Sequence, residues 1–416
     1  MRVAVCSAVY LGDVGPYLAI ARRLSERGHD VVAVLPEGFR SMVEGEPFAF
    51  HPYALDCSPA TMHADPVHDR LMQHPFRNAT KLGAYWMDRA LADDVDGAVA
   101  SLRAGFDGAD VVLTHPTFGS ASVPVARSMG VPVVAGQLFP MMIPTARWTP
   151  PLGSRSPKLP APLSRAAWSI LRRGSGVSMR DKALNAMRAD LGQPPIRGAA
   201  GFTWLDADRS VVLASRHYYG DGADDWPPVE WCGFAYWEGP PGQALAPEVE
   251  AFLDDGPPPV LVTLGTSAAT GAGERFAAIR SALAADGRRS LLLHGSTVDM
   301  GPLAGAPGVV PFAPVHLVLP RCSVAVVSGA LGGMAAAMRA GVPIVIHPQL
   351  FDQVWNGRRV EQLGVGVHAR KPKDVAGAVR RILDDPGYAE RARALAARLA
   401  GEDGADGCAD VVEAMA

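Results

Sequence analysis

The stretch Val309–Arg359, VVPFAPVHLVLPRCSVAVVSGALGGMAAAMRAGVPIVIHPQLFDQVWNGRR, decides how the chain reads. Ser323 to Val327 (SVAVV) is apolar and β-branched, the composition of a strand buried on both faces. Ser328-Gly329-Ala330-Leu331-Gly332-Gly333 interrupts it, and Met334 to Arg339 is rich in strong helix formers. A glycine-rich turn opening a helix leaves backbone N–H groups pointing outward at the positive end of the helix dipole. Such a terminus suits an anion, and a diphosphate is its natural guest. Gly341-Val342-Pro343 closes the helix and Ile344-Val345-Ile346 predicts the next strand. Beyond it stand Asp352, Gln353 and Asn356, where polar side chains reach a bound ligand. One glycine turn is weak evidence, because every doubly wound sheet has them.

The wider pattern is more specific. Phe312-Ala313-Pro314, Leu319-Pro320, the glycine turn, Ala340-Gly341-Val342-Pro343, and Pro348 followed by Asp352-Gln353 come in that order along the chain. This resembles the donor-binding signature of family 1-type nucleotide-sugar glycosyltransferases of the GT-B fold. Those enzymes decorate macrolides, glycopeptides, sterols and other small lipophilic acceptors, and the resemblance covers nearly the whole chain. It implies an α/β protein with two Rossmann-like doubly wound domains facing a central cleft. It also implies a C-terminal helix that returns to the first domain.

Length and composition agree with that. At 416 residues, 48% of them hydrophobic, the chain is long enough for two cores. No apolar run reaches the ~18–20 residues that span a bilayer, and no signal-peptide pattern precedes the first strand, so a cytoplasmic protein is expected. A net charge of −3 and an isoelectric point near 6.4 exclude a basic footprint for nucleic acid. The five cysteines (Cys6, Cys57, Cys232, Cys322, Cys408) form no CxxC pair, and the histidines no HExxH motif. No metal and no other cofactor is implied.

The amino-terminal half opens as β-α-β: Arg2–Ser7, then a helix from Pro16 to Glu26, then Val31–Leu35, joined by the loop Leu11–Pro16. Asp13 sits in that loop, at the carboxyl end of the first strand. By spacing alone it reads as a helix N-cap. The resemblance instead makes it the general base, since glycopeptide- and sterol-type relatives carry a Gly-Asp-Val segment here. Residues Asp56–Asp96 are irregular and include Tyr85 and Trp86, which the resemblance places around the acceptor. His63 and His68 fall in the same irregular segment. His115 follows the buried strand Asp110–Thr114, and Phe139 to Trp148, with Met141, reads as an acceptor wall. Asp94-Val95-Asp96 and Asp206-Ala207-Asp208 read as solvated carboxylates at element ends.

A dense Pro/Gly stretch, Gly239-Pro240-Pro241-Gly242, marks a boundary. The expected organisation is a first domain over 1–228, a linker over 229–258, a second domain over 259–400 and a returning helix over 401–416. In the second domain the resemblance assigns Thr266 and Ser267 to the diphosphate, and Phe312 and Ala313 to the base. It assigns Ser328 and the backbone of Gly332, Gly333 and Met334 to phosphate, and Asp352, Gln353 and Asn356 to the sugar. One departure stands out: relatives carry His where this chain has Ser328, and Thr or Ser where it has Gly333.

The expected activity is inverting transfer from a dTDP- or UDP-sugar to a hydroxyl of a small lipophilic secondary metabolite, such as an antibiotic aglycone. The resemblance also admits a homodimer. Two alternatives compete with this reading: a catalytically silent GT-B auxiliary protein, and a nucleotide-sugar epimerase on the same fold. Asp13 together with Asp352-Gln353 favours the transferase over the first, and the amino-terminal acceptor-type loops favour it over the second.

Overall fold

The computed structural model describes the chain except residues 8–9, 76, 116–118, 140–142, 146–158, 179–180, 197–205, 221–228, 266–270 and 416. It divides into two units, residues 1–240 with 403–416, and residues 241–402. Among the described residues, the first unit holds a seven-stranded parallel sheet. Its strands are β1 (Arg2–Cys6), β2 (Asp30–Pro36), β3 (Ala49–Tyr53), β4 (Val111–Thr114), β5 (Val133–Gln137), β6 (Arg209–Val212) and β7 (Glu230–Trp231). They lie in the order β3-β2-β1-β4-β5-β6-β7. Val3, Val5, Val111, Val112, Val133 and Val134 are almost wholly buried, as expected for strands covered on both faces.

The helix Leu11–Glu26 crosses from β1 to β2 and buries Val14, Tyr17, Leu18, Ile20, Ala21 and Leu24. It begins five residues before the start read from the sequence, so Pro16 lies inside it. Pro16 has no N–H to give the Gly12 carbonyl, so the helix forgoes one i to i−4 bond in its second turn. Tyr10, not Asp13, is the N-cap, so the capping role read from spacing is corrected. Asp13 lies in the first helical turn instead. Asp94 does cap a helix, Val95–Gly105, accepting from Gly97 N–H at 2.9 Å.

The strand β7 pairs with β6, so part of the stretch expected to be linker belongs to the first sheet. The last helix, Gly404–Glu413, packs on Leu11–Glu26 within the same unit and buries Cys408, Ala409 and Val412. Arg23 and Arg27 hold it through Asp406, each at 2.7 Å.

In the second unit six parallel strands are described: β8 (Val260–Thr263), β9 (Ser290–Leu293), β10 (Val309–Val310), β11 (Val324–Val327), β12 (Ile344–Ile346) and β13 (Gly366–His368). Their order is β10-β9-β8-β11-β12-β13. The strand order reverses between β8 and β11, and open α/β sheets bind ligands outside the carboxyl ends of strands at such a point.

Candidate active site

In the first unit the carboxyl ends of β1 and β4 bring Asp13 and His115 together. Ser7 Oγ donates to the Asp13 carbonyl at 2.8 Å, tying the helix's first turn to the end of β1. His115 N–H donates to the Cys6 carbonyl at 3.0 Å, which places the imidazole beside that turn. His115 Nε2 then lies 3.7 Å from Asp13 Oδ1. The imidazole packs edge-on against Tyr17 and Phe139, at centroid distances of 5.6 and 6.4 Å. Burial lowers its pKa to about 3, so it is neutral at any physiological pH. The Asp13 side chain keeps 16% of its surface exposed, against 2% for His115. The carboxylate is thus the reachable member of the pair.

Trp86 lies on the helix Ala79–Met87, its ring edge-on to Tyr10 at 6.5 Å. Tyr10 in turn has its hydroxyl 3.0 Å from His68 Nε2. The sequence reading left His68 in an irregular stretch, but it is buried on the short helix Pro66–Met72, with its pKa pushed down to about 4 by burial. A lone His with no periodic partners carries no signal for that placement. Met141 lies outside the described residues.

In the second unit the turn after β11 has the anticipated form. Gly329 adopts φ 91°, and a Cβ there would meet Ile346 Cγ2 at 2.7 Å, so only glycine fits. Ala330 caps the helix Leu331–Arg339. Ser328 Oγ accepts from Ala330 N–H at 3.3 Å, which leaves the hydroxyl proton free to be given to a ligand. Leu331, Gly332 and Gly333 have N–H groups without helical partners. Met334 does not belong with them. Its N–H donates to the Ala330 carbonyl at 3.2 Å, because it is already one full turn into the helix.

Gly265, at the end of β8, also has positive φ, 75°, and a Cβ there would sit 3.3 Å from Ser328 Oγ. The β8 turn therefore approaches Ser328 closely, while Thr266 and Ser267 lie outside the described residues. Phe312, beyond β10, is 61% exposed and followed by buried Ala313.

The residues assigned to the sugar divide. Gln353 is 1% exposed, and its Oε1 accepts from Gln349 and Leu350 N–H at 2.6 and 3.0 Å. It caps the helix Phe351–Leu363, so its carbonyl oxygen is committed to the backbone. Asn356 is also buried and donates to the Gly329 carbonyl at 2.9 Å, bracing the glycine turn. Asp352 differs. It is half-buried in the first turn of the same helix, and burial raises its carboxyl to about 6 against the pull of its own and Gln353's backbone N–H. Its carboxylate accepts from those two N–H groups at the helix start and stays partly exposed.

Residues 292–415 match the family model of the erythromycin biosynthesis protein CIII-like C-terminal domain. The chain is 29% identical to the O-mycaminosyltylonolide 6-deoxyallosyltransferase of Streptomyces fradiae, over all of this chain and 98% of that one. It is also 29% identical to the 4'-demethylrebeccamycin synthase of Lentzea aerocolonigenes, over all of this chain and 99% of that one. The glycosyltransferase SsfS6 of Streptomyces sp. SF2575, solved with thymidine diphosphate, superposes with a TM-score of 0.64 at 20% identity, covering 100% of this chain and 99% of that one. Two parallel-sheet α/β units of this kind define the GT-B class of glycosyltransferases. Within that class the chain is similar to family 1-type glycosyltransferases of the natural-product group.

Proposed function

We propose that the protein transfers a sugar, with inversion, from a dTDP- or UDP-sugar to a hydroxyl of a small lipophilic secondary metabolite. Asp13 takes the proton from the acceptor hydroxyl as its oxygen attacks the anomeric carbon. The bond from that carbon to the nucleoside diphosphate breaks, and the departing diphosphate carries the electron pair away. Its growing charge is met by the amides of Leu331, Gly332 and Gly333 and by the Ser328 hydroxyl. This scheme uses no metal ion. Asp352, partly exposed in the first turn of its helix, accepts from sugar hydroxyls.

The observation that carries the reading is the β11 turn, where Gly329 at φ 91° presents the open end of a helix at the strand-order reversal. The thymidine diphosphate in the solved relative supports a dTDP-sugar. The relatives' names, an O-mycaminosyltylonolide 6-deoxyallosyltransferase and a 4'-demethylrebeccamycin synthase among them, support a natural-product acceptor.

Binding is tested first. Ligands that bind the folded state raise its melting temperature by mass action. Among dTDP, UDP and GDP at millimolar concentration, dTDP or UDP is expected to raise it most. If none raises it, the donor-site reading fails.

A further inference from the structure

His347 directly follows β12, and its N–H donates to the Val327 carbonyl at 2.8 Å. With Val327 opposite Ile346 in the ladder, His347 stands beside Ser328, one strand over. The side chain is 3% exposed. Its Nδ1 lies 2.9 Å from the Ala369 carbonyl oxygen. A carbonyl can only accept, so Nδ1 carries the proton and Nε2 of the neutral ring is a bare acceptor. The two nitrogens face opposite sides of the ring. With Nδ1 turned to the β13 side, Nε2 is directed away from that carbonyl, on a residue that stands beside Ser328. That Nε2 is buried and has no hydrogen-bond partner among the described residues. A buried polar atom left in this state is costly and calls for an explanation.

The charged and titratable groups around the ring come from three elements. Arg275 belongs to the helix Ala272–Ala285, Asp374 to the turn Pro372–Asp374, and His368 to β13. Burial holds the ring neutral, Arg275 acts in the same direction, and the Ala369 carbonyl and Asp374 oppose them. A bound anion beside Nε2 would reverse that balance. Phosphate oxygens are acceptors, and an unprotonated Nε2 facing one would be acceptor against acceptor. A protonated ring would satisfy both nitrogens, Nδ1–H to Ala369 and Nε2–H to the anion.

We propose that His347 is a further donor-site residue, which takes a proton from solvent as the diphosphate binds and donates Nε2–H to it, directly or through one water. This rests on the donor-site reading above. Donor affinity then rises as pH falls from 8 to 6, because the bound state holds one more proton than the free protein.

The test is titration calorimetry of the full chain with dTDP and with UDP at pH 7, in two buffers of different ionisation enthalpy. Wild type, His347→Asn and His347→Gln are compared after melting curves establish that each is folded. Asn keeps a donor where Nδ1 meets Ala369 and has nothing at Nε2. Gln places an N–H near Nε2 but cannot take up a proton. Wild type is expected to take up more protons than either variant, the difference cancelling the nucleotide's own titration. The Asn variant should bind about 10- to 100-fold more weakly, the range for one charge-assisted hydrogen bond, and Gln should recover part of that. Thymidine and uridine, without phosphates, should not distinguish the three proteins. Nucleotide binding with unchanged proton uptake and affinity in His347→Asn overturns the proposal and leaves the donor site standing. Failure of wild type to bind either nucleotide overturns the donor-site reading, and this proposal with it.

Discussion

Asp13 Oδ1 stands 3.7 Å from His115 Nε2, too far for a hydrogen bond and beside an imidazole that burial keeps neutral. A cation at that distance would hold the carboxylate down as a weak base. A neutral ring exerts no such pull on it.

Asp13→Asn should therefore lower turnover by roughly 10²–10⁴-fold, the usual scale for a general base. Affinity for dTDP or UDP, which the proposed function assigns to the other unit, should barely change. Steady-state transfer to the native acceptor checks this, and near-normal turnover would refute the assignment.

His115 and His68 predict an acid limit to stability. Their folded pKa values, about 3 and about 4, lie below the ordinary 6.5 because burial disfavours the charged ring. Between those values and 6.5 the unfolded chain binds protons that the folded one does not, so stability rises with pH there. The contribution is complete above 6.5 and is lost as pH falls toward 3. Urea midpoints measured from pH 4 to 7.5 should decline on the acid side, and His68→Gln with His115→Gln should flatten the slope.

Asp352 has the opposite sign. Its folded pKa of about 6 lies above the ordinary 3.8, again through burial. The folded state binds the extra proton between those values. That stabilisation is full below 3.8 and is lost as pH rises through 6. Asp352→Asn should raise the melting temperature at pH 8 and leave it unchanged near pH 4. In transfer assays the same variant should lose discrimination among donors that share one nucleotide. Equal melting shifts at both pH values would refute the buried-carboxylate account.

Gly329→Ala tests the turn itself. A side chain at φ 91° is strained, and its Cβ would press on Ile346. A cost of about 1–3 kcal/mol is expected in urea unfolding. Diphosphate affinity should fall, while acceptor binding to the first unit stays intact. Unchanged nucleotide affinity would separate the turn from the donor site.

Local chemistry made much of this protein legible before any coordinates. Strands such as Val324–Val327 and Val111–Thr114 read directly, because a strand covered on both faces must be an apolar run. The break at Ser328-Gly329 read as a turn because glycine alone tolerates positive φ, and an open helix end followed from the helix formers behind it. What the sequence could not decide was which polar groups find partners. Gln353 and Asn356 looked like ligand contacts, yet one caps its helix and the other holds the Gly329 carbonyl 27 residues away. Met334 looked like a phosphate donor until the helix start gave its N–H to Ala330. His68 and His347 looked unremarkable until the fold buried them, one against Tyr10 and one beside Ser328. Burial and hydrogen-bond satisfaction belong to pairs of residues far apart in the chain, so tertiary packing alone determines them.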